Sequence, residues 1–216
     1  MKADIKYVIF PEHKIAYCQT PKTGITSITY VLQHFRTDYI ESSLKSSYDV
    51  HHPKMKEFQD FSGDIKDLEG YFIFAFARNP WDRAVSAWRN KCIDGRYIRP
   101  ELAKFDFTLG MTFDEFVKNL IKQPRYPIEP HVMEQHYFFM PNGRLLPNYI
   151  GRFENLVEDF NYVRKIIEMK TKIILPRLPH LMKSTKKNYR EYYTPELIEL
   201  VRERYQKDID ILGYKF

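Results

Sequence analysis

Phe72 to Ala77 reads FIFAFA, an unbroken apolar run that stops abruptly at Arg78, Asn79 and Pro80. A strand apolar on both faces belongs inside a sheet that is covered on both sides, the usual situation of a parallel sheet with crossover helices. The run therefore predicts a buried strand over Tyr71–Ala77. Asn79 then reads as an N-cap and Pro80 as the first position of a helix reaching Trp88. Arg78 falls at the carboxyl end of the strand, where open α/β sheets bind ligands, beside a helix start whose N–H groups and positive dipole end favour anions. Ser86, two turns into that helix, is expected to face the same ligand.

A second strand, loop and helix start precede the first, in KIAYCQTPKTGITSIT (Lys14–Thr29). Ile15–Cys18 reads as the strand and Pro21–Gly24 as the turn. The hydroxyls of Thr23, Thr26 and Ser27 gather where the helix begins, and Lys22 supplies a point charge. Alone, the segment equally suits an ordinary turn with an exposed lysine. It lacks G-x-x-x-x-G-K-[ST], having one glycine with the lysine ahead of it, so it is not a nucleotide triphosphatase loop.

The rest of the chain alternates in the same way. Thr112 and Glu115 form a capping-box pattern ahead of Phe113, Phe116, Val117, Leu120 and Ile121 at helical spacing. Three prolines within Gln123–Pro130 break that helix. The polar stretch Asp94–Gly110 reads as loop, Tyr149–Phe153 as a strand and Glu154–Met169 as the helix returning from it. Thr194 and Pro195 start a last helix with Leu197, Leu200, Val201 and Tyr205 on one face. No repeat or linker divides the chain, and 216 residues with 44% hydrophobic content suit one core. The reading is an α/β fold: a single domain with a central parallel β-sheet flanked by helices. The two cysteines, Cys18 and Cys92, lack metal or redox spacing and are expected to be reduced.

PKTGITS followed further along by FAFARNPWDRAVSAW resembles the PAPS-dependent sulfotransferases, in particular their carbohydrate sulfotransferase branch, Golgi-type and bacterial. HHPKMKE (His51–Glu57), HVMEQ (His131–Gln135), YIGRFENLVEDF (Tyr149–Phe160), LPHLMKS (Leu178–Ser184) and the segment from Tyr192 to Phe216 extend the resemblance over nearly the whole chain. Ile25 departs from the small or hydroxylated residue more usual there, and Met182 from an asparagine before Lys183. The resemblance implies one P-loop-like sulfotransferase domain over 1–216. It also implies transfer of a sulfuryl group from 3′-phosphoadenosine 5′-phosphosulfate (PAPS) to a hydroxyl, with PAP as product.

Carried onto this sequence, the resemblance assigns the 5′-phosphosulfate to Lys22 and the backbone of Thr23, Gly24, Ile25, Thr26 and Ser27, with the last two hydroxyls assisting. It gives the 3′-phosphate to Arg78 and Ser86, where a planar guanidinium can hold two oxygens together. Lys183 and Ser184 resemble a late loop that closes over the nucleotide. His52 matches the position of a histidine that would take the acceptor's proton. Its neighbour His51 remains open for the same part, as does Glu57 as base or orienting carboxylate, and HHP also reads as a plain polar loop. His131 and Gln135, four apart, match an H-x-x-x-Q pattern and are expected either on the acceptor side or in the core or surface structure. Arg83 is expected either to reach the phosphate or to pair with an acid.

A formal charge of +6 favours an anionic partner, whether nucleotide or acidic glycan. Two other classes fit the sequence less well. A kinase would need a magnesium ligand set and a full phosphate loop, and no metal pattern is evident among the histidines. A non-catalytic binder of acidic glycans or nucleic acid would need a basic cluster, whereas lysines and arginines here alternate with acids, and no nucleic-acid partner is expected. The first residues do not read as a signal peptide, and no stretch approaches the roughly 18 apolar residues of a membrane span. The expectation is a soluble, bacterial-type cytoplasmic enzyme, or an excised lumenal catalytic domain if eukaryotic. Acceptor specificity is expected in loops such as Tyr39–Asp49 and Lys91–Gly110.

Overall fold

The computed structural model describes residues 6–35, 65–125, 129–179 and 188–216. Its main elements are β1 (Tyr7–Phe10), β2 (Ile15–Cys18), α1 (Ile25–Leu32), β3 (Phe72–Ala77), α2 (Pro80–Trp88), α3 (Phe113–Lys122), β4 (Tyr149–Arg152), α4 (Leu156–Thr171), α5 (Pro195–Arg204) and α6 (Gln206–Leu212). The described residues group into two compact units. One spans 6–35, 65–77 and 141–179, and the other 78–125, 129–140 and 188–216.

The first unit holds a four-stranded sheet in the order β1-β2-β3-β4. β2, β3 and β4 run parallel, with Cys18 opposite Ala75 and Ala77 opposite Arg152. β1 is antiparallel to β2, which a turn as tight as Pro11–Lys14 permits, whereas a parallel pair needs a long crossover. The sequence predicts the three parallel strands and misses this edge. Period-two geometry sorts β3 into two faces. Phe72, Phe74 and Phe76 join Ile15 and Tyr17 in a core closed by Ile28, Val31 and Leu32 of α1 and Phe160, Val163 and Ile167 of α4. The alternate positions, Ala16, Cys18, Ile73, Ala75 and Ala77, are equally buried and, Ile73 apart, small. Gly151 lies against the Phe76 ring, where any Cβ would collide. Cys18 is a buried thiol in no disulfide, and burial pushes its pKa up to about 12.

The second unit is helical. The Thr112 hydroxyl accepts from the Glu115 N–H while the Glu115 carboxylate accepts from the Thr112 N–H, completing the expected capping box. Trp81 of α2 is buried, donating Nε1–H to the Ile198 carbonyl at 3.0 Å, and the Tyr193 hydroxyl donates to the Trp81 carbonyl at 2.8 Å. Thr194 caps α5 as expected, but the last helix is two. The chain breaks at Tyr205, whose hydroxyl donates to the Val132 carbonyl at 2.8 Å. The stretch after α2 is more ordered than a loop: a π-helical turn covers Arg89–Ile93 and a short helix Pro100–Ala103. The architecture is α/β, a mainly parallel sheet flanked by helices.

Candidate functional site

Beyond Cys18, the first unit builds a turn from its backbone. Lys22 has φ +74° and Gly24 φ +86°, while Thr23 between them keeps a negative φ. Such alternation is the conformation in which successive N–H groups converge into an anion-binding nest. The Thr23 hydroxyl donates to the Thr20 carbonyl at 2.7 Å, so its side chain locks the turn from inside and leaves the backbone to face a ligand. Gly24 is the N-cap of α1 and gives that helix no side-chain cap. The first N–H groups of α1, over Ile25, Thr26 and Ser27, therefore add the helix dipole's positive end to the Lys22 charge. A Cβ on Gly24 would stand 2.9 Å from Leu156 Cδ2, which seats the turn on the start of α4.

The second unit builds with side chains. Asn79 caps α2 as predicted, its Oδ1 accepting from the N–H groups of Trp81 at 3.0 Å and Asp82 at 3.5 Å, and Pro80 has no N–H to give. The expectation that this helix start offers N–H groups to an anion is thus corrected, because its cap takes them. What remains is Arg78. Its guanidinium donates Nε–H to Asp82 Oδ2 at 2.8 Å and Nη2–H to Asp82 Oδ1 at 3.0 Å, a two-pronged pair. Asp82 and the half-buried Ser86 lie four apart and share one helix face. The pair with Asp82 thus sets the Arg78 fork one turn ahead of Ser86, on its face.

Gln135 takes a place in the core of this unit. It is fully buried, its Oε1 accepts from the Arg78 N–H at 2.9 Å and its Nε2 donates to the Arg78 carbonyl at 2.8 Å. The amide thus bridges both polar backbone groups of one residue. Arg83 is buried, donates to the carbonyls of Met133 at 2.7 Å and Pro130 at 3.2 Å, and has the carboxylates of Asp208 and Glu129 acting on its charge. His131 is partly exposed and its Nδ1 is 2.6 Å from Glu129 Oε1, while its backbone N–H donates to Glu129 Oε2 at 2.8 Å. Lys91 lies 3.0 Å from the same carboxylate. Burial alone would push the Glu129 pKa up, but the hydrogen bond and charge of His131 and the Lys91 ammonium hold it down, to about 2. His51, His52, Glu57, Lys183 and Ser184 lie outside the described residues.

Three carboxylates, Asp82, Glu129 and Asp208, organise this unit without having been singled out in the sequence. Asp82 was findable by its spacing from Arg78 and Glu129 by its closeness to His131. Asp208 had no local signal.

The sequence pattern of the Sulfotransferase family matches residues 6–215. This chain belongs to the sulfotransferase family. Membership carries a P-loop-like α/β fold. Among curated proteins, this sulfotransferase-family chain is similar to carbohydrate sulfotransferase 10 of Gallus gallus, 24% identical over 94% of the chain and 65% of that protein. It is likewise similar to carbohydrate sulfotransferase 9 of Homo sapiens, at 26% identity over 90% of the chain and 48% of the relative. Carbohydrate sulfotransferase 11 of Danio rerio is 27% identical over 85% of the chain and 58% of its own length. The chain thus spans about half to two thirds of these relatives. No solved structure matches it. Among the described residues, no helix is long and apolar enough to cross a membrane.

Proposed function

We propose that this protein transfers a sulfuryl group from PAPS to a hydroxyl of a carbohydrate. The observation that best supports this is the backbone-built anion turn at Lys22–Gly24 in a chain of the sulfotransferase family. The names of the similar proteins supply the acceptor class. The residues suit such a donor: a lysine, N–H groups and hydroxyls for the 5′-phosphosulfate, and a fork-shaped cation with a hydroxyl for the 3′-phosphate.

The donor brings an activated sulfuryl group, and the protein's share is position and charge. The acceptor oxygen forms a bond to sulfur as the bond from sulfur to the 5′-phosphate oxygen breaks, and that oxygen keeps the electron pair. Lys22, the 23–27 N–H groups and the hydroxyls of Thr26 and Ser27 stabilise the charge gathering there. Arg78 and Ser86 hold the 3′-phosphate, whose charge does not change, so they orient rather than activate. His52 takes the acceptor's proton, with His51 and Glu57 the other residues suited to it, and Lys183 and Ser184 close over the nucleotide. His131, steadied by Glu129, stands on the acceptor side.

Calorimetry with PAP and 5′-AMP tests the donor assignment. Charge-assisted hydrogen bonds contribute roughly 1.5–3 kcal/mol each, so PAP should bind about tenfold or more tightly. Lys22→Ala should lose mostly turnover and Arg78→Ala mostly affinity, read with labelled PAPS and a panel of oligosaccharides. Equal affinity for the two nucleotides refutes the reading, tight binding of ATP with magnesium replaces it with a kinase, and glycan binding without PAPS turnover replaces it with a lectin-like binder.

A further inference from the structure

Arg78 stands at a seam in hydrogen bonding. The β3–β4 register ends at Ala77 opposite Arg152, and α2 begins at Pro80. The Arg78 N–H and C=O therefore belong to neither the sheet nor the helix, yet the residue is buried. Backbone groups so placed must find partners elsewhere. Both find the Gln135 amide, at 2.9 and 2.8 Å. Gln135 is itself held, its N–H donating to Asp208 Oδ2 at 2.6 Å. Asp208 Oδ1 accepts from the His136 N–H at 2.7 Å and lies 2.9 Å from His136 Nδ1. Asp208 has no exposed surface, so this α6 carboxylate serves the 135–136 backbone rather than solvent or ligand.

We infer that Asp208 and Gln135 are the positioning residues of the donor's 3′-phosphate grip, relaying from α6 through the Gln135 amide to the backbone of Arg78. The inference rests on the donor assignment above. Gln135 holds the Arg78 backbone and Asp82 holds its guanidinium. A planar fork holds two phosphate oxygens only while its origin stays put, since a site of this kind tolerates about 0.5 Å of displacement. Freeing the backbone leaves the cation in place but misaims it.

A merely structural network would lower stability and leave nucleotide selectivity alone. The relay instead acts on the part of the affinity that comes from the 3′-phosphate. The test uses full-length Gln135→Met, which keeps the side chain's bulk and removes only the amide, and Asp208→Asn. Calorimetry with PAP and 5′-AMP is run below each variant's melting transition. Where the wild type prefers PAP about tenfold or more, both variants should fall to within about threefold, with 5′-AMP affinity changed less than about twofold. In an Arg78→Ala background, Gln135→Met should cause no further loss of preference, because the relay ends on that residue. A folded Gln135→Met protein with full PAP preference overturns the inference, and it decides the matter if Asp208→Asn does not fold. A wild type without PAP preference overturns the donor assignment and this inference together, so the two failures are told apart.

Discussion

Gly24→Ala strikes the anion turn at its most constrained residue. Two costs add. At φ +86° the backbone is in the left-handed region, where a side chain costs roughly 1–2 kcal/mol. The new Cβ would also stand 2.9 Å from Leu156 Cδ2, closer than real Cβ contacts come, and the leucine must swing away at about 1–2 kcal/mol, the lower part of the range for overpacking. The sum is about 2–4 kcal/mol. For a chain of this length each kcal/mol moves the melting point by about 2–4 °C, so the variant should melt roughly 5–15 °C lower. Circular dichroism gives the melting point and calorimetry the PAP affinity, which should weaken several-fold because the N–H groups of the turn are displaced. Leu156→Ala separates the two costs: combined with Gly24→Ala it should destabilise less than the sum of the single changes, by about the steric share. A Gly24→Ala protein melting within about 2 °C of wild type, with unchanged PAP affinity, would show that the turn tolerates a side chain and is not held as described.

Asn79→Ala removes the cap of α2 and should cost about 1–2 kcal/mol in a urea titration, with loss of the bond from Nδ2 to the Lys215 carbonyl at 3.0 Å included. Glu129→Gln tests the buried carboxylate beside His131. Its folded pKa near 2 lies below the ordinary value of about 4.3, so its contribution, about 3 kcal/mol, is complete above pH 4.3 and vanishes as pH falls through 2. The stability gap between wild type and variant should therefore shrink to less than half from pH 6 to pH 3, and a constant gap refutes the ion-paired carboxylate. His52→Ala should keep PAP binding and lower turnover by about two to four orders of magnitude, whereas full activity would move the proton's destination to His51, Glu57 or solvent.

Where a signal is local, the sequence carried it. FIFAFA, the Asn-Pro pair and the Thr112/Glu115 box each fix a boundary through side chains a few residues apart, and β3, α2 and α3 lie within a residue or two of their expected limits. β1 went unread because YVIF has no flanking signal of its own and becomes a strand only by pairing with β2. The break at Tyr205 was hidden since Leu197, Val201 and Tyr205 keep helical spacing up to it. The nest at Lys22–Gly24 was legible as a turn with one glycine, though not the inward Thr23 hydroxyl. The contact that Gln135 makes was hidden for a physical reason: spacing four from His131 suggests a shared helical face, but residues 130–135 form turns, and the amide faces the unmet backbone of a residue 57 positions earlier. Its support by Asp208, 73 positions later, is equally invisible to any local rule.

Since Asn79 closes the helix start beside Arg78 while Gly24 leaves its own open, the two ends of the donor would be recognised in different languages. On the proposed assignment the 5′ end would be met largely by main chain, which every residue possesses, beside Lys22 and two hydroxyls, so much of the turn could drift in sequence provided its dihedral angles survive. The 3′ end would be met by named side chains, each replaceable by a single codon change. Evolution or an engineer seeking a donor with a different ribose substituent would therefore find the adjustable half at Arg78, Asp82 and Ser86, and could retune it while the transfer chemistry at the other end stayed untouched.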